Sequence, residues 1–180
     1  MATINPRMSP DLGLGARGRT LMDADRARAL AERLHHGQRD AGGARLIDHV
    51  RRVAATVAPD ARVVAWLHEV LEHTSISEET LLMQGLSTAE LRAIRLVTHD
   101  NIARSDASYV AHIALLAQAS GAGARLARSV KCADLADRLR NPAIRPDGWS
   151  PPYERGLQIL QRADSRRRRR RSVVREAGSP

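Results

Sequence analysis

Ionisable side chains interrupt an apolar segment at residues 67–74, where the sequence reads LHEVLEHT. Burying an imidazole or a carboxylate without a partner is costly, and the penalty must be compensated. A divalent cation compensates both groups, because it neutralises the carboxylate and uses the imidazole lone pair. The segment therefore favours a metal site that contains His68 and Glu69.

The spacing within this segment excludes a zinc-protease helix. The His-Glu-x-x-His motif requires its second histidine one turn after the first, but the residue four positions after His68 is Glu72. His73 points about 100° further around the helix. Ligands beyond His68 and Glu69 must then come from other segments.

Two other segments offer suitable ligands. His49 follows a glycine-containing loop, and Asp134 lies in the apolar run 130–137. Two imidazoles and two carboxylates suit Mn²⁺, Fe²⁺ or Zn²⁺, and an open coordination position would let the ion acidify a bound water.

Several short motifs follow one another in an order that is more specific than any of them alone. They are Gly37-Gln38, Ile47-Asp48-His49, Leu67-His68-Glu69-Val70-Leu71-Glu72, Val130-Lys131-Cys132-Ala133-Asp134 and Tyr153-Glu154-Arg155. This order resembles the HD superfamily, specifically its small branch related to the hydrolase domain of the RelA/SpoT alarmone enzymes. The resemblance covers residues 24–160.

The resemblance implies an all-α, single-domain helical bundle around one ion, commonly Mn²⁺, held by His49, His68, Glu69 and Asp134. It implies hydrolysis of a nucleotide phosphate ester or pyrophosphate, and in the most similar enzymes the release of pyrophosphate from the 3′ position of ppGpp. Glu72 falls on the family's catalytic glutamate.

This sequence departs from the family pattern within the predicted site. Glu69 stands where the family has the aspartate that gives it its name. His73 stands where the family has an acidic residue after the catalytic glutamate. This second catalytic position therefore carries a base that titrates near neutral pH. In the loop, Asp40 and Ala41 stand where the family has a pair of basic residues, and Leu46 stands where it has a Tyr. Arg138 stands where the family has an Asn that contacts the nucleotide. The basic residues predicted to bind substrate phosphate are Arg39, Arg45, Lys131 and Arg138.

Alternative interpretations apply to each of these residues. His68 in isolation is more simply a hydrogen-bonded core histidine, and Glu69 is able to pair with a buried arginine. Asp137 rivals Asp134, because residues 137–141 also resemble a family motif. The departures allow a second hypothesis, a degenerate domain that binds a nucleotide or a partner without turnover. His35, His36, His99 and His112 are predicted to be surface or boundary residues.

The elements that position these side chains are all predicted to be helical, because apolar residues recur at three- and four-residue spacing. Asp23, Asp60, Ser77 and Ser87 are predicted to cap helices, the last in a capping box with Glu90. Loops are predicted at 36–46 and, with several prolines, at 142–152. The predicted helices cover 23–37, 47–58, 60–74, a short segment from 77, 87–97, 106–119, 122–140, and 152–160 or beyond.

The composition points to one cytoplasmic domain with an aliphatic core. The chain of 180 residues is 43% hydrophobic but contains no Phe, two Trp and two Tyr. Its single cysteine excludes an internal disulfide and a thiolate metal cluster. No apolar stretch is long enough for a membrane span or a signal peptide. We predict a flexible leader at 1–20, a helical domain at 21–160 and an Arg-rich tail at 161–180.

The positive charge is concentrated at the end of the chain. Of the formal net charge of +9, most comes from residues 161–180, which hold eight Arg against Asp164 and Glu176. Residues Arg166 to Arg171 are consecutive arginines without interleaved aromatics. They fit a solvated, disordered tail or a helix end that complements the helix macrodipole. The functional alternative is nonspecific, salt-sensitive contact with RNA, DNA or anionic lipid.

Overall fold

A computed structural model describes residues 20–40, 42–99, 105–141 and 150–177, with side chains through 170 and at 172 in the last range. The predicted leader and most of the proline-containing connection, residues 142–149, lie outside the described residues. The described part contains a 3-10 turn at Pro59–Ala61 and these helices: α1 (Ala24–Leu34), α2 (Leu46–Thr56), α3 (Arg62–Leu67), α4 (Val70–His73), α5 (Glu78–Met83), α6 (Thr88–Val97), α7 (Asp106–Gln118), α8 (Ala122–Arg140) and α9 (Ser150–Ala177).

Most predicted helix starts are confirmed by their caps. Asp23 accepts a hydrogen bond from the Arg26 N–H, and Ser77 accepts one from the Thr80 N–H. Ser87 and Glu90 form the predicted capping box. The cap predicted at Asp60 is wrong, because the chain enters α3 through the 3-10 turn and Ala61 occupies the N-cap position.

The predicted helix over 60–74 is interrupted at His68 and Glu69. α3 ends at Leu67, α4 begins at Val70, and the two residues between them form a turn. The His68 Nδ1 atom lies 2.7 Å from the Ala65 carbonyl oxygen. A side chain that hydrogen bonds a nearby carbonyl competes with the backbone ladder, which accounts for a local break. His68 and Glu69 therefore lie at a helix end.

The long helix α8 lies at the centre of the bundle and packs against α2, α3, α6, α7 and α9. Its first turn approaches α6 closely at Gly123, where a Cβ atom would lie 2.6 Å from the Ala89 carbonyl oxygen. The core is aliphatic and includes fully buried Leu67, Ile94 and Leu135. Within the described residues, no helix combines the length and apolar character that a bilayer span requires.

The last helix, α9, begins at Ser150 and continues through the Arg-rich region to Ala177. Pro151 and Pro152 lie in its first turn, where a missing N–H does not remove a helical hydrogen bond. The helix crosses residue 160 without interruption. The domain boundaries at residues 20 and 160 stay predictions.

Candidate metal centre

The structure brings the four predicted ligands together where α2, the α3–α4 junction and α8 meet. His49 lies near the start of α2, His68 and Glu69 form the turn after α3, and Asp134 lies on α8. One donor atom from each residue lies within 4.8 Å of the others, and all four side chains are buried. We refer to these four residues as the buried cluster.

The two imidazoles direct their Nε2 atoms into the buried cluster. The ring centroids of His49 and His68 are 5.4 Å apart. The His68 Nε2 atom lies 3.2 Å from Glu69 Oε1, and the His49 Nε2 atom lies 3.2 Å from Asp134 Oδ1 and 3.5 Å from Glu69 Oε1. Both Nε2 atoms are buried and, within the described part of the chain, have no hydrogen-bond partner of good geometry.

The other ring nitrogen of each histidine is occupied by an oxygen acceptor. His68 Nδ1 faces the Ala65 carbonyl, and His49 Nδ1 lies 2.8 Å from Asp137 Oδ2. An N–H at Nδ1 donates to these oxygens and leaves the Nε2 lone pair toward the buried cluster, as in metal-bound histidines. The donor set therefore fits a divalent cation of the Mn²⁺, Fe²⁺ or Zn²⁺ type.

Asp137 lies behind His49 and outside the buried cluster. Besides binding His49, its carboxylate accepts hydrogen bonds from Arg52 at 2.9 and 3.0 Å and from Asn141 Nδ2 at 3.2 Å. Geometry thus distinguishes the two aspartates that the sequence left as rivals. Asp134 lies on the side of the buried cluster toward which the Nε2 atoms of both histidines point. Asp137 binds the opposite ring nitrogen of His49 and fixes the orientation of that ring.

Arg138 and Lys131 balance the negative charge of the buried cluster. Arg138 Nε donates to Asp134 Oδ1 at 2.6 Å, and Arg138 Nη2 donates to Glu69 Oε1. Lys131 Nζ lies 2.8 Å from Asp134 Oδ2. Both basic residues were predicted to bind substrate phosphate, a role that stays a prediction. A cation that bound Glu69 and Asp134 would compete with the Arg138 guanidinium.

The charges in the buried cluster shift its pKa values in opposite directions. Burial opposes ionisation of Glu69 and Asp134, but Arg138 holds the pKa of both carboxyl groups well below the usual range. Burial and Arg138 lower the pKa of His49, but its contacts with the carboxylates of Asp134, Asp137 and Glu69 outweigh them and raise it to about 10. Cation binding at His49 therefore competes with a proton.

Glu72 and His73, the residues predicted to be catalytic, lie at the edge of the buried cluster on α4. His73 Nε2 lies 2.9 Å from Glu69 Oε2, and its side chain is 36% exposed. Glu72 offers a carboxylate oxygen within 4.8 Å of donor atoms of Glu69 and His73. The hydrogen bond to Glu69 raises the pKa of His73 above that of an ordinary histidine. Partly exposed groups beside buried ligands are suitably placed for proton transfer to a bound substrate.

The predicted phosphate-binding residues Arg39 and Arg45 lie on the loop that precedes α2. Their backbones form an isolated antiparallel bridge, and both side chains are exposed. Arg39 Nη1 donates to the Gly43 carbonyl at 2.6 Å, and Arg45 donates two hydrogen bonds of 3.0 Å to Asp48. They lie outside the buried cluster, and their role in binding substrate stays a prediction.

One residue near the buried cluster, Arg52, was not predicted from the sequence. Arg52 and Asp137 form the ion pair behind His49, and His35 is only 1% exposed, so its prediction as a surface or boundary residue is wrong. His35 Nδ1 lies 2.8 Å from Gln38 Oε1, and Gln38 donates to the His73 carbonyl. Gln38 belongs to the Gly37-Gln38 motif of the sequence. His35 follows α1 and continues its buried face.

The described helices form an all-α bundle with a fold of the HD type, as predicted. A metazoan ortholog of SpoT, which hydrolyses ppGpp and plays a role in starvation responses, has this fold. Its solved structure matches 76% of this chain and 84% of that chain, with a TM-score of 0.61 and 22% sequence identity. No protein-family model matches the chain, and no curated protein is significantly similar in sequence.

Proposed function

We propose that this protein is a metal-dependent phosphohydrolase that acts on a nucleotide phosphate or pyrophosphate. The observation that carries the proposal is the convergence of two buried imidazole Nε2 atoms, each without a hydrogen-bond partner of good geometry among the described residues, with Glu69 and Asp134. A purely structural cluster would be expected to satisfy these atoms. The likeness in fold to a protein that hydrolyses ppGpp supports the same class of reaction.

In this proposal His49, His68, Glu69 and Asp134 hold one divalent ion, for which the family resemblance favours Mn²⁺ over Fe²⁺ or Zn²⁺. When bound, such an ion polarises a phosphoryl oxygen and acidifies a water. The backbone carbonyl of Ala65 and the carboxylate of Asp137 keep the two imidazoles in the required orientation.

The residues beside the buried cluster have distinct proposed roles. Arg138 and Lys131 place positive charge where a phosphoryl group would approach, and the exposed Arg39 and Arg45 extend that charge along the loop. The raised pKa of His73 favours its protonated form relative to an ordinary histidine, and in this proposal its Nε2 proton is donated to a leaving oxygen. Glu72 lies beside it as a second proton-transfer group.

The substrate class is a nucleotide with a phosphate or pyrophosphate group, and a 3′-pyrophosphate such as that of ppGpp is the specific candidate. The fold neighbour supports ppGpp, because its described activity is on that nucleotide. The loop and α8 differ from the family pattern at Asp40, Ala41 and Arg138. These differences make a panel of nucleotides the appropriate first assay.

The test is hydrolysis by purified protein supplied with Mn²⁺, assayed with ppGpp, other nucleotides and a generic phosphate ester. We expect release of phosphate or pyrophosphate, and we expect His68→Ala to abolish it and to lower the bound metal. His36→Ala is the matched control, because it removes the same type of side chain from an exposed position. Equal activity in the His68 variant would reject the assignment.

The ion pairs of Arg138 favour a second candidate function, nucleotide binding without turnover. A guanidinium that bridges Glu69 and Asp134 already supplies the positive charge that an ion would bring. This candidate predicts no bound metal and no turnover on the nucleotide panel, together with a nucleotide that raises the melting temperature. The predicted cytoplasmic location is part of both proposals and stays a prediction.

A further inference from the structure

A second charged feature lies away from the buried cluster, in a groove of about 1270 Å³ between α7, α8 and the Arg-rich part of α9. Ala and Ile side chains form part of its lining, and arginines supply the rest. We call it the arginine groove. Its arginines are Arg125, Arg128, Arg162, Arg166, Arg167, Arg169 and Arg170.

Two of these arginines, Arg128 and Arg167, hold together the helices that form the groove. Arg128 is 6% exposed, donates to the Ala119 carbonyl at 2.7 Å and lies 3.4 Å from Asp164. Arg167 donates to the Ala117 carbonyl at 2.9 Å and to the Ala119 carbonyl at 3.1 Å. These bonds satisfy carbonyls at the end of α7 and join it to both α8 and α9. The Arg-rich segment is thereby docked as a helix against the bundle.

Most exposed arginines of the groove lack an anionic partner among the described residues. Arg125 pairs with Asp60 at 2.6 Å, but Arg162, Arg166, Arg169 and Arg170 make no ion pair with any residue in the described ranges. The nearby Asp164 is engaged by Arg128. A concave surface with several uncompensated guanidinium groups attracts an anion of matching length.

We propose that the arginine groove binds a single nucleic-acid strand through its phosphates. Arg162, Arg166 and Arg170 recur every fourth residue on α9, which places successive Cα atoms about 6 Å apart along the helix axis. Such a row matches a linear polyanion better than a compact anion. The groove lining contains no aromatic side chain on which a base would stack. Binding is therefore independent of base sequence and sensitive to salt.

An anionic membrane is a poorer match for the same charge. A membrane-surface helix requires a large apolar face beside its basic residues. The large apolar side chains found exposed among the described residues are Leu21, Met83 and Leu115. Only Leu115 belongs to the helices around the groove, and it does not line it. None of these exposed large apolar side chains therefore lines the groove, where it would be needed for insertion into a bilayer.

The test measures binding of a fluorescent, mixed-sequence 20-nucleotide RNA strand by anisotropy at several KCl concentrations. The groove variant replaces Arg162, Arg166 and Arg170 with Gln. We expect its affinity to fall at least about tenfold at 100 mM salt. The slope of log affinity against log salt should fall by about 2, since each lost phosphate contact on a single strand contributes about 0.7.

A matched control variant replaces three exposed arginines that do not line the groove, Arg33, Arg62 and Arg168, with Gln. It removes the same net charge and includes one arginine of the consecutive run. We expect a loss of less than about threefold, because none of these three side chains lines the groove. An equal loss in both variants would overturn the groove and leave only unspecific charge attraction.

Two further measurements keep the result interpretable. Thermal unfolding followed by circular dichroism should give the wild-type melting temperature for both variants, and Arg166→Gln alone should give an intermediate loss of RNA affinity. Vesicles of phosphatidylserine and phosphatidylcholine are the competing ligand. Groove-dependent binding to vesicles without groove-dependent binding to RNA would overturn the proposal.

Discussion

The Nδ1 atom of His49 lies 2.8 Å from Oδ2 of Asp137, on the opposite side of the ring from the buried cluster. Both side chains are buried, and Arg52 holds the same carboxylate through two hydrogen bonds. The imidazole is consequently fixed with Nε2 toward Asp134. Asp137 therefore has an orienting role in the proposed site.

Asp137→Asn should weaken Mn²⁺ binding by about 10- to 100-fold, because an amide no longer orients and polarises the His49 ring as a carboxylate does. Isothermal titration calorimetry with Mn²⁺ is the measurement. Asp48→Asn is the control, since Asp48 is a partly exposed carboxylate on the same helix as His49 and pairs with Arg45 and Arg51. Unchanged Mn²⁺ affinity in the Asp137 variant would contradict the orienting role.

Asp137 should also make stability depend on pH in the acid range. Burial opposes its ionisation, but hydrogen bonds from His49 and Arg52 lower its pKa to about 2. Because the folded pKa lies below the unfolded value of about 4, the stabilisation is present above pH 4 and is lost as the pH falls toward 2. The difference in melting temperature between wild type and Asp137→Asn should shrink over that interval. A constant difference from pH 7 to pH 2.5 would disagree with this pKa.

Arg138→Asn should tighten Mn²⁺ binding at least about tenfold, because it removes a guanidinium that donates to both Glu69 and Asp134. Without added metal the variant should melt at a lower temperature than the wild type, since two buried carboxylates lose their main counter-charge. The rise in melting temperature on adding Mn²⁺ should be larger than for the wild type.

Arg140→Gln is the control for this substitution, because Arg140 is exposed near the end of the same helix. It should leave both Mn²⁺ affinity and the metal-dependent rise in melting temperature unchanged. If Arg138→Asn bound Mn²⁺ more weakly than the wild type, the guanidinium would be supporting the cation rather than competing with it.

His73 should titrate at a higher pH than an ordinary histidine. Its hydrogen bond to Glu69, whose Oε2 lies 2.9 Å from Nε2, raises its pKa and outweighs partial burial. Nuclear magnetic resonance of the imidazole nitrogens should show this pKa above about 6.5, and Glu69→Gln should lower it. The exposed imidazole of His36 serves as the internal reference. An unshifted His73 in the Glu69 variant would exclude this pairing.

Gly85→Ala should destabilise the fold strongly. Gly85 has φ of +97°, and an added Cβ atom would lie 2.2 Å from the Thr20 carbonyl oxygen. Gly37→Ala is the matched control, because φ there is +75° but no atom lies within 4 Å of the added Cβ. We expect a loss of about 1 kcal/mol for Gly37→Ala from backbone strain and about 1–3 kcal/mol more for Gly85→Ala from overpacking. Chemical denaturation measures both, and equal losses would contradict the close contact.

Local patterns in the sequence predicted most helices and their caps, because helix periodicity and capping depend on residues within about one turn of each other. The caps at Asp23, Ser77 and Ser87 follow directly from this. The cap at Asp60 failed because a 3-10 turn intervened, and the break at His68 escaped prediction because a side-chain hydrogen bond to Ala65 disrupts an apolar pattern that otherwise continues.

The sequence by itself also determined which side chains are candidate ligands, since two histidines and two carboxylates in apolar runs require compensation wherever those runs pack. Only the tertiary structure decided what compensates them. Three pairings join residues that are 48 to 85 positions apart: Arg138 with Glu69, Arg52 with Asp137, and Arg167 of α9 with the end of α7. Such pairs depend on how helices pack against one another, and no local periodicity encodes that packing.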